Sequence, residues 1–197
     1  MSEPGSGPQP PVTVPVLRPR LRPTLLSDLD FVIGVERDPR NLPFITPWDR
    51  TQHEAAVRIP DFRHFIVESD ARTLGFAILQ GCRNPHHSVE LKRIVLAHHG
   101  QGVGRTCVRL LMDLAFSDLH AHRFWLDVKA HNQRALALYR SEGFVEEGRL
   151  REAVRRSVAP AAPGDSAAGW DDLVVMSVLA AEYQRRPPQR ASQTAHW

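Results

Sequence analysis

Cysteine is scarce in this chain of 197 residues, which contains only Cys82 and Cys107. Two thiols cannot form a disulfide framework, so we expect both to be reduced. Long apolar runs are also missing, and the first residues lack the basic and apolar segments of a secretory signal. These absences argue against a membrane protein or a disulfide-stapled secreted domain, and they predict a cytoplasmic protein without a membrane partner.

Excess charge is also scarce outside the C-terminal end. The net charge is +3, and Arg185, Arg186 and Arg190 follow Gln184 with no acidic residue among them. Residues 1–184 are therefore formally neutral, which is a poor electrostatic footprint for a nucleic acid duplex. We expect no nucleic acid partner, although binding through the basic end remains an alternative hypothesis.

Proline, glycine and serine divide the chain into a central domain and two tails. Residues 1–16 are rich in proline and glycine and have no apolar periodicity, which predicts a flexible tail. A flexible basic tail is predicted over residues 184–197, and one domain over residues 17–183. Within that domain, the segment "SVAPAAPGDSAAG" (157–169) predicts a long surface loop between two strands.

Apolar periodicity predicts strands and helices in mixed order. Thr24 or Ser27 is the expected cap of the first helix. Strands are predicted over residues 16–22, 63–69, 73–82, 88–97, 122–130, 144–154 and 172–183, and helices over 23–38, 51–60, 104–119 and 132–143. This order predicts an α+β fold, an α/β sandwich in which one central sheet carries helices on its faces.

Three alternating glycines, Gly100, Gly102 and Gly104, join a predicted strand to a predicted helix. A tight turn explains one or two of them, whereas a phosphate cradle at the helix N-terminus explains all three. Arg105 and Arg109 follow one turn apart and could add positive charge. The nucleotide-triphosphate pattern GxxxxGK[ST] is absent, and the dinucleotide pattern GxGxxG fails because its third glycine comes one residue early.

Two segments resemble the GNAT superfamily of acetyl-coenzyme A-dependent N-acetyltransferases. "HGQGVG" (99–104) is similar to the family's cofactor signature, and "VKAHNQRALALYRSEGFVEEGRLRE" (128–152) is similar to the second half of its core. The second segment places Asn132, Tyr139 and the pair Gly143–Phe144 at the family's spacing. The resemblance extends over residues 17–183. "PFITPW" and "VELKRIVL" look most like the branch containing the ribosomal-protein-alanine N-acetyltransferases.

The resemblance implies a mixed, mostly antiparallel sheet and direct transfer of an acetyl group from acetyl-CoA to a primary amine in a ternary complex. It also implies a possible homodimer, since dimers are common in the family. His99 stands where the family has Arg or Gln, which predicts weaker cofactor binding at alkaline pH. The residues implied to bind acetyl-CoA are Ile94, Val95, Leu96, His99, Gly100, Gln101, Gly102, Val103, Gly104, Arg105, Asn132, Ala135 and Tyr139.

Two side chains are candidate catalytic residues by the same resemblance. Glu90 would be the general base, and the strand period predicts that residues 90, 92, 94 and 96 share one face. An ion pair with Lys92 or Arg93 is the competing interpretation. Tyr139 would be the general acid that protonates the departing thiolate, and core packing against Phe144 is its alternative. Main-chain amides of residues 94–96 are expected to stabilise the oxyanion.

The acceptor amine cannot be chosen from the sequence. Phe44 and Trp48 either line the acceptor site or fill the core beneath an irregular loop. A protein N-terminus, an amino acid, a polyamine and an aminoglycoside all fit as small or peptidyl amines, and a coenzyme A-binding sensor of the same fold is the non-enzymatic alternative.

Histidines cluster without metal-ligand spacing, so we expect no metal site; the clusters are His86–His87, His98–His99 and His120-x-His122.

Overall fold

The computed structural model describes residues 17–70, 72–97, 100, 102–156 and 169–186. The predicted N-terminal tail (1–16), almost all of the predicted loop at 157–169 and the C-terminal tail from residue 187 lie outside the described residues. So do His98, His99 and Gln101 of the predicted cofactor signature.

Seven strands and five helices form in the described part of the chain, and all except the last helix follow the predicted order. The strands are β1 (Arg20–Pro23), β2 (Phe62–Ser69), β3 (Arg72–Gln80), β4 (Ser88–Leu96), β5 (Arg123–Lys129), β6 (Val145–Arg155) and β7 (Trp170–Leu179). The helices are α1 (Leu29–Glu36), α2 (Arg50–Arg58), α3 (Val103–Asp113), α4 (Gln133–Ser141) and α5 (Ala180–Gln184). A 3₁₀ turn (Leu26–Asp28) precedes α1, and a π turn (Leu114–Asp118) continues α3.

The strands form one sheet in the order β1-β2-β3-β4-β5-β7-β6. Each neighbouring pair is antiparallel except β4 and β5, which run parallel. Helices cover both faces. The buried side chains of α3 and α4, such as Leu111 and Leu136, pack with Phe124 and Met176, whereas α1 packs on the opposite face against Phe76. The predicted α+β sandwich with a mostly antiparallel sheet is confirmed.

The start of the first helix differs from the prediction, because neither Thr24 nor Ser27 caps it. Asp28 fixes this turn instead: its carboxylate accepts the Leu25 N–H at 2.8 Å and binds the Arg22 guanidinium through two hydrogen bonds of 2.7 and 2.9 Å. The Thr24 hydroxyl lies inside the protein, 2.9 Å from the Nδ1 atom of His64. A buried polar partner therefore overrides the local capping preference.

The last predicted strand is shorter than expected, and the chain turns into α5 at Ala180. Residues 184–186 belong to this end of the body rather than to a tail. Arg186 donates a hydrogen bond to the carbonyl oxygen of Glu142 and approaches the sulfur of Met112 at 3.4 Å. No helix in the described ranges has the length and apolar character needed to cross a bilayer.

Candidate active site

A cleft opens where β4 and β5 separate. The two strands pair only at their beginnings, where Glu90 and Trp125 form the last pair. Beyond that pair lies a cavity of about 730 Å³, and most of the predicted cofactor residues line it. They are Ile94, Val95, Leu96, Gly100, Gly102, Gly104, Arg105, Asn132, Ala135 and Tyr139.

A β-bulge lies at the start of the cleft. Leu79 pairs with Leu91 and Ile78 pairs with Arg93, so Lys92 is an extra residue in β4. Leu91 and Ile94 consequently pack on the same side of the sheet, toward α3 and α4. The prediction that residues 90, 92, 94 and 96 share one face is therefore wrong, because the extra residue reverses the alternation halfway along the strand.

The main chain of β4 offers hydrogen-bonding groups to the cleft. The Ala97 N–H donates to Leu74 O at 2.8 Å, on the side of β3. Because successive amides alternate sides along a strand, those of Ile94 and Leu96 point toward the separated β5, and that of Val95 points to β3. Two of the three predicted amides can thus meet a bound molecule. The Leu96 carbonyl is already held by Asn41, whose Nδ2 atom lies 3.3 Å away.

The glycine turn closes one end of the cleft. Gly100 and Gly102 adopt φ angles of +97° and +73°, where an L side chain would be strained. A Cβ on Gly104 would make only an ordinary contact of 3.5 Å with Leu138. Gly102 is the N-cap of α3 and supplies no side-chain cap, so amides of the first helical turn remain available to an anion. The side chain of Val103 is buried in the core, and its N–H already donates to the Gly100 carbonyl at 3.4 Å.

Glu142 is a functional candidate that the sequence did not reveal. This buried carboxylate binds both arginines of α3, with distances of 2.5 Å to Arg105 Nη1 and 2.8 Å to Arg109 Nε. It raises the pKa of the Arg109 guanidinium through this hydrogen bond. The arginines expected to add free charge beside the glycine turn are thus partly neutralised. No local pattern relates residues 33 and 37 positions apart.

Helix α4 supplies Asn132, Ala135 and Tyr139 to the cleft. Asn132 caps the helix, since its Oδ1 atom accepts the Ala135 N–H at 3.2 Å. Tyr139 both lines the cleft and packs against Phe144, with ring centroids 5.5 Å apart. Burial, with a smaller effect of the Asp127 charge, raises the pKa of Tyr139. The phenol is therefore protonated at neutral pH, as a general acid must be.

Glu90 is not among the residues that line the cleft. It lines a separate depression of about 340 Å³ together with Asp61 and Trp125, and its carboxylate is 3.0 Å from Lys92 Nζ. Burial raises the pKa of Glu90, and Lys92 opposes that shift. The ion pair with Lys92 that competed with the catalytic interpretation is present.

Asp127 is an exposed carboxylate in the cleft that the sequence analysis missed. Its charge contributes to the raised pKa values of both Tyr139 and Glu90. No salt bridge to Asp127 occurs within the described ranges. The sequence "FWLDVK" could have indicated this position. Its buried residues Phe124, Leu126 and Val128 alternate, and Asp127 therefore lies on the opposite face of the strand.

The segment before α2 forms the other wall of the cleft. Phe44, Ile45, Thr46 and Trp48 all line the cavity. Ile45 and Trp48 also pack against the core cluster beneath α1. The segment therefore both lines the cleft and fills the core, which the sequence analysis had treated as alternatives. In the portion of the chain that is described, no group of three or more His, Cys, Asp or Glu side chains could hold a metal ion.

Comparison with known proteins decides the family. The model of the acetyltransferase (GNAT) family matches residues 30–144, more than half of the chain. The chain belongs to the GNAT family. Its predicted class, an N-acetyltransferase that uses acetyl-CoA as donor and an amine as acceptor, is confirmed at the level of the family.

The GNAT proteins that are similar to this chain are named for different acceptor substrates. The chain is 28% identical over 142 residues to spermidine N(1)-acetyltransferase of Escherichia coli K12, covering 66% of this chain and 75% of that protein. It is 32% identical over 118 residues to N-alpha-acetyltransferase RimI of Mycobacterium tuberculosis, covering 58% and 72%. A structure of Vibrio cholerae spermidine N-acetyltransferase with CoA and spermine matches at a TM-score of 0.70 and 25% identity, covering 85% and 98%. The finer placement beside the ribosomal-protein-alanine enzymes stays a prediction.

Proposed function

We propose that this protein binds acetyl-CoA in the cleft between β4 and β5 and transfers the acetyl group directly to a primary amine bound beside it. The observation that carries this proposal is the continuity of the cleft. The open amides of Ile94 and Leu96, the uncapped start of α3 and Tyr139 all lie along one cavity. Direct transfer needs both substrates in one cavity, and no intermediate nucleophile is required.

The backbone would hold the donor. The first-turn amides of α3 suit the pyrophosphate, and the positive φ angles of Gly100 and Gly102 aim the main chain without a Cβ in the way. The amides of Ile94 and Leu96 suit the pantetheine arm, which would lie against β4 like an added strand. The same amides are placed to stabilise the oxyanion as the thioester carbonyl is attacked.

Tyr139 would complete the reaction. The neutral amine nitrogen forms a bond to the carbonyl carbon, and the carbon–sulfur bond then breaks with its electron pair on sulfur. The nitrogen loses one proton to water as the amide forms, and proton exchange with water later restores the Tyr139 phenol. Tyr139 donates its phenolic proton to that thiolate, and the buried position that raises its pKa keeps the proton on the phenol until then. Deprotonation of the attacking ammonium requires a base.

Two carboxylates compete for the role of base. Burial raises the pKa of Glu90, but its place outside the cleft lining means that it would act through water. Asp127 lies in the cleft and is exposed, so it can reach the ammonium directly. The geometry favours Asp127, and Glu90 remains the second candidate.

A cationic small amine is the acceptor that we propose. Asp127 is the only acidic residue among the described lining of the cleft. Two similar proteins are named for spermidine, which supports a polyamine of that kind. A thiol-release assay with acetyl-CoA tests this, using spermidine, a monoamine, an amino acid, an aminoglycoside and a short peptide. Binding of CoA without thiol release for any amine would favour the sensor hypothesis instead.

A further inference from the structure

A fully buried carboxylate stands behind the acceptor side of the cleft. Glu36, at the end of α1, has no exposed surface. Its Oε2 atom accepts the Trp48 N–H at 2.7 Å, and its Oε1 atom accepts a hydrogen bond from Arg93 Nη1 at 2.6 Å. One side chain therefore ties α1 to the segment before α2 and to β4.

Arg93 and Trp48 form one face of the cleft. The guanidinium carbon of Arg93 lies 4.4 Å from the centroid of the Trp48 ring, and both residues line the cavity. Arg93 also donates from Nη2 to the Thr46 carbonyl at 2.7 Å. These bonds hold the segment that carries the indole and keep the guanidinium over its ring.

Charge gives this arrangement a further consequence. A cationic amine that approaches Asp127 also approaches Arg93, whose positive charge would repel it. Glu36 supplies the compensating negative charge from behind the wall, within 2.6 Å of the guanidinium. The His53 ring is the other titratable neighbour of Glu36, with Nε2 at 3.4 Å.

We propose that Glu36 is a positioning residue for the acceptor, which neutralises Arg93 and holds Trp48 so that a cationic amine meets a neutral aromatic wall. This inference rests on the proposed transfer to an amine. In this proposal Glu36 contacts neither substrate, and its negative charge makes the wall formed by Arg93 and Trp48 electrically neutral.

Glu36→Gln tests the proposal because the amide keeps the shape and can still accept the Trp48 N–H, while the negative charge is lost. The KM for spermidine should rise by at least about tenfold, and the KM for 2-phenylethylamine by a smaller factor, because the repulsion scales with acceptor charge. The KM for acetyl-CoA should stay unchanged. Glu54→Gln is the matched control, since Glu54 pairs with Arg50 and Arg58 on α2.

A double variant separates charge from architecture. Glu36→Gln combined with Arg93→Met removes both charges, and methionine can still pack on the Trp48 ring. The spermidine KM should return to within about threefold of the wild-type value if the loss in the single variant is electrostatic. An equal rise for both amines in the single variant, with no recovery in the double variant, would overturn the proposal.

A third variant tests the proposal even if the Glu36 variants fail to fold. Trp48→Leu leaves Glu36 and Arg93 paired and should raise the KM for both amines while the acetyl-CoA KM stays constant. An unchanged acceptor KM in this variant would also overturn the inference. If the wild-type protein releases no thiol with any amine, the proposed function itself fails, which is distinct from an active wild type whose Glu36 variants behave normally.

Discussion

His64 should make the stability of this protein depend on pH. It lies on β2, is 6% exposed, and its two ring nitrogens contact Thr24 Oγ1 at 2.9 Å and His53 Nδ1 at 3.2 Å. Burial is the largest cause that lowers the pKa of His64 to about 3, and the charges of His53 and Arg93 act in the same direction. The folded protein therefore holds a neutral imidazole that the unfolded chain would protonate.

The sign and size of the effect follow from that pKa. An unfolded histidine has a pKa of about 6.5, so the stabilisation is complete above that pH and is lost as the pH falls toward the folded pKa of about 3. Between about pH 8 and about pH 5, proton uptake by the unfolded His64 alone should lower the free energy of unfolding by about 2 kcal/mol.

Urea titrations followed by far-UV circular dichroism measure this loss. His64→Gln retains a polar side chain for Thr24 and His53 but cannot titrate. The fall in its free energy of unfolding over the same interval should therefore be smaller than that of the wild type, and the difference should be about 2 kcal/mol. His86→Gln, an exposed loop position, is the control and should follow the wild type. Equal pH dependence in His64→Gln and the wild type would refute the reasoning, whatever the stability of the variant at neutral pH.

Three further predictions concern the site. Tyr139→Phe should lower kcat by roughly ten- to ten-thousand-fold in the thiol-release assay without changing CoA affinity, and an unchanged kcat excludes the general-acid role. Of Glu90→Gln and Asp127→Asn, the variant that removes the base should lose the acidic limb of the kcat/KM–pH profile. If Glu90 is the base, that limb lies above the usual glutamate range because burial raises its pKa. Gly102→Ala forces a side chain into φ +73°, so it should cost roughly 1 kcal/mol of stability and weaken CoA binding in calorimetry; intact affinity would contradict the cradle.

Local patterns predicted much of this fold. The β-branched and aromatic runs "RHFIVES" and "TLGFAILQGC" predicted the β2–β3 hairpin, because such residues favour strands and only the short segment "DAR" separates them. Asn132 and Gly143 predicted both ends of α4, since an N-cap acceptor and a residue with φ +76° are local requirements. The glycine turn was found for the same reason, from backbone conformations that few residues adopt.

Contacts between distant segments were not predictable in this way. Glu36 and Arg93 are 57 residues apart, and Glu142 lies 37 residues beyond Arg105. Each pair depends on how helices pack on the sheet, which no single-segment pattern encodes. The bulge at Lys92 is of the same kind: "VELKRIVL" reads as regular alternation, and only pairing with β3 shows that one residue is extra.

The extra residue in β4 also suggests that main-chain groups bind the donor whereas side chains carry out turnover. Bulges bend a strand and increase its twist, and here β4 departs from β5 just before the bulge, leaving the Ile94 and Leu96 amides unpaired. The donor would thus be held by main-chain groups whose placement depends on the bulge and on the positive φ of Gly100 and Gly102. Proton transfer would depend on side chains instead. Changing those side chains should therefore stop turnover while the cleft still binds CoA.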